Sequence, residues 1–302
     1  MLSKRHIVVG LGELLWDLLP TGKQLGGAPA NFAYITSLLG DNGIPASRLG
    51  QDALGAAAIR RLGELALPTE FIQKDTDHPS GTVQVEVDGA GQPRFEISGS
   101  VAWDFLDWTP QWQTLAHQAD AVCFGSLAQR SEHSRATVRK FVLASGRNAV
   151  RVFDVNLRQS FYTAQVLAES MKLATIVKLN HEELPRIMRL FELEHHREED
   201  SARRLLSLHD LKLVCVTRGN GGSLLISAGE CSEHPGFRVK VADTVGAGDA
   251  FTAGIVHGYL RGTSLAQINE NANRVGAWVA SQSGATPAPK AAGLEQTLAE
   301  VG

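Results

Sequence analysis

The chain has 302 residues, of which 43% are hydrophobic, and this is enough for one large α/β domain with a substantial core. Its 29 basic and 32 acidic residues give a formal charge of -3 without a basic block, which excludes an obvious nucleic-acid partner and favours a small molecule. The three cysteines, Cys123, Cys215 and Cys231, are far apart and show no metal-ligand spacing, so they indicate a reducing compartment.

The N-terminal segment "MLSKRHIVVGLGELL" reaches Gly and Glu too soon for a signal peptide. No apolar run of the chain is long enough to cross a bilayer. We therefore expect a cytoplasmic protein without a membrane partner.

Apolar strands recur along the chain. The first, "HIVVGLGE", is short, β-branched and ended by glycines, as expected of a strand buried on both faces in a parallel sheet. Segments of helical period separate it from four similar runs, which are "DAVCFGS" (120–126), "VRVFDVN" (150–156), "TIVKLN" (175–180) and "KLVCVTRG" (212–219). This alternation predicts an open α/β sheet.

Residues 80–99 show a different pattern, because apolar and polar residues alternate on either side of "DGAGQP". The pattern predicts an antiparallel hairpin with one solvent-exposed face. We expect one domain over residues 1–302, with a lid formed by about residues 12–25 and 80–100.

The charged run "FELEHHREEDSARRLLSL" (191–208) mixes both signs at helical spacing. Its neighbouring acids and histidines point around a helix and not toward one ion, so we predict a solvated helix face and no metal site. A short terminal helix is expected over "LEQTLAEVG".

The stretch "DTVGAGDAFTAGIVHGYL" places Gly246 and Gly248 just before a helix predicted from Ala250 to Leu260. Free amides and the positive end of the helix dipole favour an anion at such a turn, so a phosphate charge fits there. Asp249 is then placed to accept a proton, but a helix-capping role for the same carboxylate is an open alternative. A Walker loop is excluded, since no Gly-Lys-Ser/Thr follows.

A second glycine-rich motif, "QLGGAPANFAYITSLLG" (24–40), predicts a helix that begins near Pro29, with Gly26 and Gly27 clearing space at its entrance. Asn31 offers a donor and an acceptor, and Asp17 in "LLWDLLP" offers two acceptor oxygens. The pair suits a polyhydroxylated ligand. For Asn31, an ordinary hydrogen bond at the start of the helix is equally open.

Together, "GGAPAN" and the later "DTVGAGDAF" resemble the paired motifs of the ribokinase, or PfkB, family of carbohydrate kinases. The stretches "GELLWDLLP", "VAWDF" and "FDVNLRQSFY" are most similar to fructokinase-type members. The resemblance covers the chain from end to end. It implies a ribokinase-like three-layer α/β/α sandwich with a mostly parallel central sheet and a small β-strand lid.

The resemblance also implies roles for individual residues. Asp249 matches the catalytic base, and the amides of Gly246, Ala247 and Gly248 match the anion hole for the transferred phosphoryl group. The substrate-binding positions are Asp17, Gly26, Gly27, Asn31 and Arg158. The nucleotide-binding positions are Thr217, Gly219, Asn273 and Gly276. Asn180 and Glu183 match an Asn-x-x-Glu motif that organises Mg²⁺ through water.

The reaction implied by the resemblance is ATP-dependent phosphorylation of a primary hydroxyl of a monosaccharide, with fructose as the first substrate. ATP and Mg²⁺ are the implied cofactors, a monovalent cation such as K⁺ is left open, and a homodimer through the lid is the implied assembly. Another sugar or sugar-acid kinase, such as a ribokinase or a 2-keto-3-deoxygluconate kinase, remains an alternative. A sugar-binding regulator without turnover is less favoured, because it needs no base beside an anion hole.

The chain departs from the family at Val155, where proline is usual, and in the stretch "SQSGATPAP", which lacks the basic residues of many members.

Overall fold

The computed structural model describes residues 4–19, 22–87, 93–194, 196–291 and 293–301. The strands within these ranges are β1 (Ile7–Leu11), β2 (Leu15–Leu19), β3 (Gly22–Gly26), β4 (Asn42–Gly50), β5 (Ile72–Asp75), β6 (Gly81–Val87), β7 (Pro93–Ile97), β8 (Ala121–Gly125), β9 (Val150–Asp154), β10 (Ile176–Asn180), β11 (Leu213–Thr217), β12 (Ser223–Ile226) and β13 (Cys231–His234). The helices are α1 (Ala28–Leu38), α2 (Ala53–Glu64), α3 (Pro110–Gln118), α4 (Glu132–Ala144), α5 (Ala164–Leu173), α6 (Glu183–Leu190), α7 (Glu198–Leu208), α8 (Ala247–Leu260), α9 (Leu265–Ala280) and α10 (Leu294–Ala299).

The central sheet has nine strands in the order β13-β12-β11-β10-β9-β8-β1-β4-β5. The seven strands from β11 to β5 are parallel, and β12 and β13 add an antiparallel edge. All five strands predicted from apolar runs lie next to one another in the parallel part. Their carboxyl ends therefore meet at one edge of the sheet, where open α/β folds place their ligands.

Helices cover both faces of this sheet, so the fold has three layers. Adjacent strand residues face opposite sides: Val9 joins a core that includes Trp112 and Phe141, whereas Val8 joins a core that includes Phe32 and Phe251. Helices α3 to α7 pack on the first face, and α1, α2 and α8 to α10 pack on the second. The predicted fold class is confirmed.

A second, four-stranded sheet has the order β3-β2-β6-β7. The β6–β7 pair is antiparallel, as the alternating pattern predicts, and β2 pairs parallel with β6 and antiparallel with β3. One face of the β6–β7 pair buries Val83 and Ile97. Most of the predicted hairpin tip, residues 88–92, lies outside the described residues.

The prediction for residues 191–208 is right only in part, because the helix begins at Glu198. Helix α6 ends at Leu190, and Glu192 then takes a left-handed backbone conformation with φ 56°, which a continuous helix does not allow. The terminal helix is present as α10. In the part of the chain that the structure describes, no helix combines the length and apolar character needed to cross a bilayer.

Candidate active site

The turn before α8 is built around Gly246, which adopts a left-handed conformation with φ 76°. A Cβ at this position would lie 2.4 Å from the Cβ of Ala285, so only glycine fits the turn. Asp243 fixes both sides of it, since its carboxylate accepts hydrogen bonds from the amides of Val245 (3.0 Å) and Gly284 (3.2 Å). The N-terminal amides of α8, from Ala247 onward, are thereby held at the sheet edge in a geometry suited to an anion.

Asp249 lies in the first turn of α8 and contacts the other glycine-rich motif. The Asn31 Nδ2 donates to its Oδ2 at 2.9 Å, so the two predicted site residues meet although 218 positions separate them. Burial raises the pKa of Asp249 to about 6, the charge of Asp154 adds to this effect, and Asn31, Lys178 and Arg158 oppose it. This carboxylate can exchange a proton near neutral pH, which favours a role beyond helix capping.

Three side chains that the sequence did not single out surround Asp249. The buried ammonium group of Lys178 donates to both carboxylate oxygens of Asp154, at 3.1 and 3.2 Å. Thr252 joins them to α8, because its hydroxyl donates to Asp154 at 3.0 Å. Burial lowers the pKa of Lys178, but the carboxylates of Asp154, Glu183 and Asp249 outweigh burial, so the net shift is upward and the lysine stays charged. A Cβ at Gly248 would lie 3.0 Å from the Lys178 Nζ, so this charge sits directly beneath the first turn of α8.

Asp17 on β2, Gly26 at the end of β3 and the following Gly27 form the side of the site toward the small sheet. A Cβ at Gly26 would lie 2.3 Å from the Asp17 Oδ2, so the glycine is what makes room for this carboxylate. Gly27 has φ 112° and approaches the carbonyl oxygen of Glu13, which a Cβ would meet at 2.5 Å. Burial raises the pKa of Asp17, and the charge of Arg158 opposes this effect.

Arg158 is exposed on the loop that follows β9. The residues Asn156 (φ 41°) and Gln159 (φ 49°) on either side of it have left-handed backbones, so the loop is sharply bent. The loop is anchored at Val155, whose amide donates to the carbonyl oxygen of Lys178 at 2.9 Å. The proline that the resemblance leads us to expect here has no amide hydrogen, so Val155 adds one hydrogen bond between the segments that carry Asp154 and Lys178.

Asn180 and Glu183, the residues expected near Mg²⁺, bond reciprocally to each other's backbone. The Asn180 Oδ1 accepts from the Glu183 amide at 2.8 Å, and the Glu183 Oε2 accepts from the Asn180 amide at 2.8 Å. The other carboxylate oxygen of Glu183 accepts from the amide of Leu157 at 2.8 Å. These hydrogen bonds therefore stabilise the start of α6 and the loop that carries Arg158. Across the described ranges, no three His, Cys, Asp or Glu side chains cluster closely enough to hold a metal directly.

The expected nucleotide residues lie at two places. Thr217 ends β11 at the same sheet edge, and Gly219 follows it with φ 57° and open space around its Cα. Asn273 is buried on α9, where its amide donates to the Ser223 hydroxyl at 2.7 Å and to the side-chain oxygen of Asn269 at 2.9 Å. A Cβ at Gly276 would lie 3.2 Å from the carbonyl oxygen of Ala247, so this glycine lets α9 approach α8. Asn273 and Gly276 thus have structural roles on their own, and their nucleotide role stays a prediction.

The sequence of this chain also matches a known protein family. The sequence pattern of the pfkB family carbohydrate kinases matches residues 19–291. The chain belongs to this family. It is accordingly a carbohydrate kinase, a phosphotransferase that uses an alcohol group as acceptor.

Individual relatives of this pfkB kinase match it over nearly the whole length. An uncharacterized sugar kinase of Pyrococcus horikoshii is 32% identical and spans 94% of this chain and 93% of its own. Its structure in complex with ATP superposes with a TM-score of 0.81, covering 97% of this chain and 99% of that one at 30% identity. The fructokinase of Escherichia coli is 29% identical, over 92% of this chain and 94% of its own.

Proposed function

We propose that this pfkB kinase transfers the γ-phosphoryl group of ATP to a primary hydroxyl of a monosaccharide, and that fructose is its substrate. The observation that carries the proposal is the hydrogen bond between Asn31 and Asp249 beside the N-terminal turn of α8. It joins a polar group suited to a sugar, a carboxylate with a pKa of about 6 and an anion-binding turn within one site. The fructokinase among the relatives, and the ATP complex of the Pyrococcus horikoshii enzyme, support the choice of substrates.

Each of the site residues has a defined role in this proposal. Asp17, Asn31 and Arg158 orient the sugar beside Gly26 and Gly27, and its hydroxyl oxygen attacks the γ-phosphorus as the bond to the β-phosphate oxygen breaks. Asp249 accepts the hydroxyl proton, and ADP leaves with the bonding electrons. The amides of Gly246, Ala247 and Gly248 hold the charge of the transferred group, with the ammonium of Lys178 beneath them.

Asn180 and Glu183 fit an ion held mainly by phosphates and water, because each offers oxygen atoms already oriented by backbone amides. Mg²⁺ bound there would neutralise phosphate charge. Thr217 and Gly219 would receive the nucleotide at the end of β11, and Asn273 and Gly276 would support the adenine side. We keep activation by K⁺ as a prediction, which comparing the turnover rates in K⁺ and in Na⁺ would test.

Two further parts of the proposal concern the small sheet. Asp17, which is proposed to contact the sugar, lies on β2 of this sheet. This position supports the proposal that the small sheet is a lid over the sugar. In the described residues, β3 and β7 each have a partner on one side only, and such edges favour pairing with a second chain. We propose a homodimer through these strands. Light scattering that shows only monomer at assay concentrations would contradict the proposed homodimer.

The decisive experiment measures ADP release with fructose, ribose, glucose and 2-keto-3-deoxygluconate, for the wild type and for Asp249→Asn. We expect fructose to give the highest kcat/KM, and the variant to lose about 10²- to 10⁴-fold in kcat, the usual contribution of a positioned base. Calorimetry should show that the variant still binds sugar. A wild type that binds fructose but releases no ADP with any sugar would indicate a regulator, and full turnover by the variant would remove Asp249 as the base.

A further inference from the structure

Glu13 is a buried acid to which the proposed mechanism gives no role. It lies two residues after the end of β1, is only 3% exposed, and its Oε2 has no hydrogen-bond partner among the described residues. Leaving a buried polar group unpaired costs about 1–3 kcal/mol or more, so a carboxyl in this position calls for a partner. Its backbone cannot easily move away, because Gly27 packs against the carbonyl oxygen of Glu13.

A small cavity is lined in part by Glu13. Its volume of about 10 Å³ is just enough for one water molecule. Its walls include Glu13, Cys123, Asp154, Asp249 and Thr252. A water needs two to four polar partners, and the polar residues of these walls, which are Glu13, Asp154, Asp249 and Thr252, can supply them.

Burial favours a protonated Glu13 up to about neutral pH. Burial raises the pKa of Glu13 to about 7; its own backbone amide and Arg158 lower it, and Asp249 and Asp154 raise it further. The buried cation of the site, Lys178, is already bonded to Asp154. Cys123 also faces the cavity, but burial raises the pKa of its thiol, so it stays neutral. Glu13 can therefore donate a hydrogen bond, which an ionised carboxylate cannot do.

We propose that Glu13 is a positioning residue for the base: its carboxyl donates to one water in this cavity, and the water donates to the carboxylate of Asp249. Asn31 holds Oδ2 of Asp249 from the side of α1, and the water holds the carboxylate from the side of β1. With two donors, the carboxylate keeps one orientation toward the sugar hydroxyl. The inference rests on the proposed role of Asp249 as base.

Two substitutions of Glu13 separate hydrogen bonding from volume. Glu13→Gln keeps a donor and an acceptor, and Glu13→Leu has a similar size but neither group. Cys123→Ala is the matched control, because it alters the packing of the same cavity wall without touching the hydrogen bonds. We expect kcat to stay within about threefold of the wild type in the Gln variant and to fall about tenfold or more in the Leu variant, the size of one hydrogen bond to a charged group. KM for the sugar should change little in both.

The pH profile provides a measurement that a purely structural role would leave unchanged. Without the water, the carboxylate of Asp249 loses a donor, so its pKa rises and the acid limb of kcat moves to higher pH in the Leu variant. The Gln variant and Cys123→Ala should keep the wild-type limb. The proposal is overturned if the Leu variant keeps both the wild-type kcat and the wild-type acid limb of the pH profile. It is also overturned if kcat of the Gln variant falls as far as kcat of the Leu variant.

A crystal structure of the wild type provides a test that does not depend on turnover or on the folding of any variant. We expect one water within about 3.2 Å of both the Glu13 carboxyl and the Asp249 carboxylate. A dry cavity, or a water that contacts only one of them, would overturn the proposal. Failure of the proposed function has a different signature, since the wild type would then phosphorylate no sugar while the water remained in place.

Discussion

At the scale of single residues, Asp249 experiences two opposing influences. Its carboxyl is enclosed by protein, which favours the protonated form, while Asn31, Lys178 and Arg158 favour the charged form. Burial dominates, so its pKa lies at about 6 instead of the ordinary 3.8. Only the ionised form can accept a proton, and we therefore expect kcat to rise with pH through about 6. A pH profile of kcat under saturating substrates would show this, and an acid limb centred near 4 would contradict it.

The same pKa shift predicts how stability changes with pH. Because the pKa of Asp249 is higher in the folded than in the unfolded state, the folded state retains the proton between pH 3.8 and about 6 and loses stability as pH rises through that window. Asp249→Asn removes this penalty. At pH 7 we expect it to be more stable than the wild type by up to about 3 kcal/mol, and the difference should nearly vanish at about pH 4. Urea unfolding at both values measures it; a variant less stable at pH 7 would mean that the charged group holds the fold together.

How far the sequence determines the site depends on the residue. The turn at Gly246 and the anion-binding start of α8 follow from local chemistry, and the predicted helix entrance near Pro29 is where α1 begins. The contact between Asn31 and Asp249 does not follow, because each residue has an ordinary role at a helix start and only the tertiary fold brings them together. Lys178 was missed, although a lysine inside the apolar run "TIVKLN" is itself a signal of a buried ion pair.

At the scale of secondary structure, the position of the α8 turn depends on how closely α8 and α9 pack. A Cβ at Gly254 on α8 would lie 2.8 Å from the Cα of Ala272 on α9, a distance at which the helices must separate. We expect Gly254→Ala to cost about 1–3 kcal/mol of stability despite the gain of up to about 1 kcal/mol in helix propensity, and to lower kcat because α8 carries Asp249.

Gly63 on α2 provides the matched control, since a Cβ there meets nothing within 4 Å. Gly63→Ala should gain about 0.5–1 kcal/mol through helix propensity alone and leave kcat unchanged. Urea unfolding of the two variants measures the difference. Equal stability of the two would show that the contact between α8 and α9 is not tight.

Among the strands, the five parallel strands with continuous apolar runs and the alternating β6–β7 pair were predictable, whereas β4 and β13 were not. Strand β4, "NGIPASRLG", contains proline, glycine and arginine and is identified by its position between β1 and β5 instead of its composition. Strand β13, "CSEH", lies at the antiparallel edge and is only partly buried, so it carries no hydrophobic pattern. Burial on both faces leaves a signature in the sequence, and pairing at an edge does not.

At the scale of the whole molecule, the two large cores lie on the two faces of the central sheet, and Val83 and Ile97 connect the base of the β6–β7 pair to one of them. A shorter pair that keeps this base should therefore leave a folded protein. Replacing residues 85–95 by Asn-Gly joins Gln84 to Glu96, which face each other across the pair, through a two-residue turn suited to antiparallel strands. The melting temperature should fall by no more than a few degrees, which confirms that the variant is folded.

The catalytic effect of this deletion should be much larger than its effect on stability if the small sheet is a lid. Asp17 stays in place on β2, so sugar can still bind, but water is no longer excluded from the phosphoryl group during transfer. We expect sugar phosphorylation to fall and the ratio of ATP hydrolysis to sugar phosphorylation to rise, because water then competes with the sugar hydroxyl. Measuring ADP release and sugar phosphate in the same reaction separates the two fluxes. Full phosphorylation with no additional hydrolysis would show that the outer part of the sheet does not close over the site, and that water is excluded by the main domain alone.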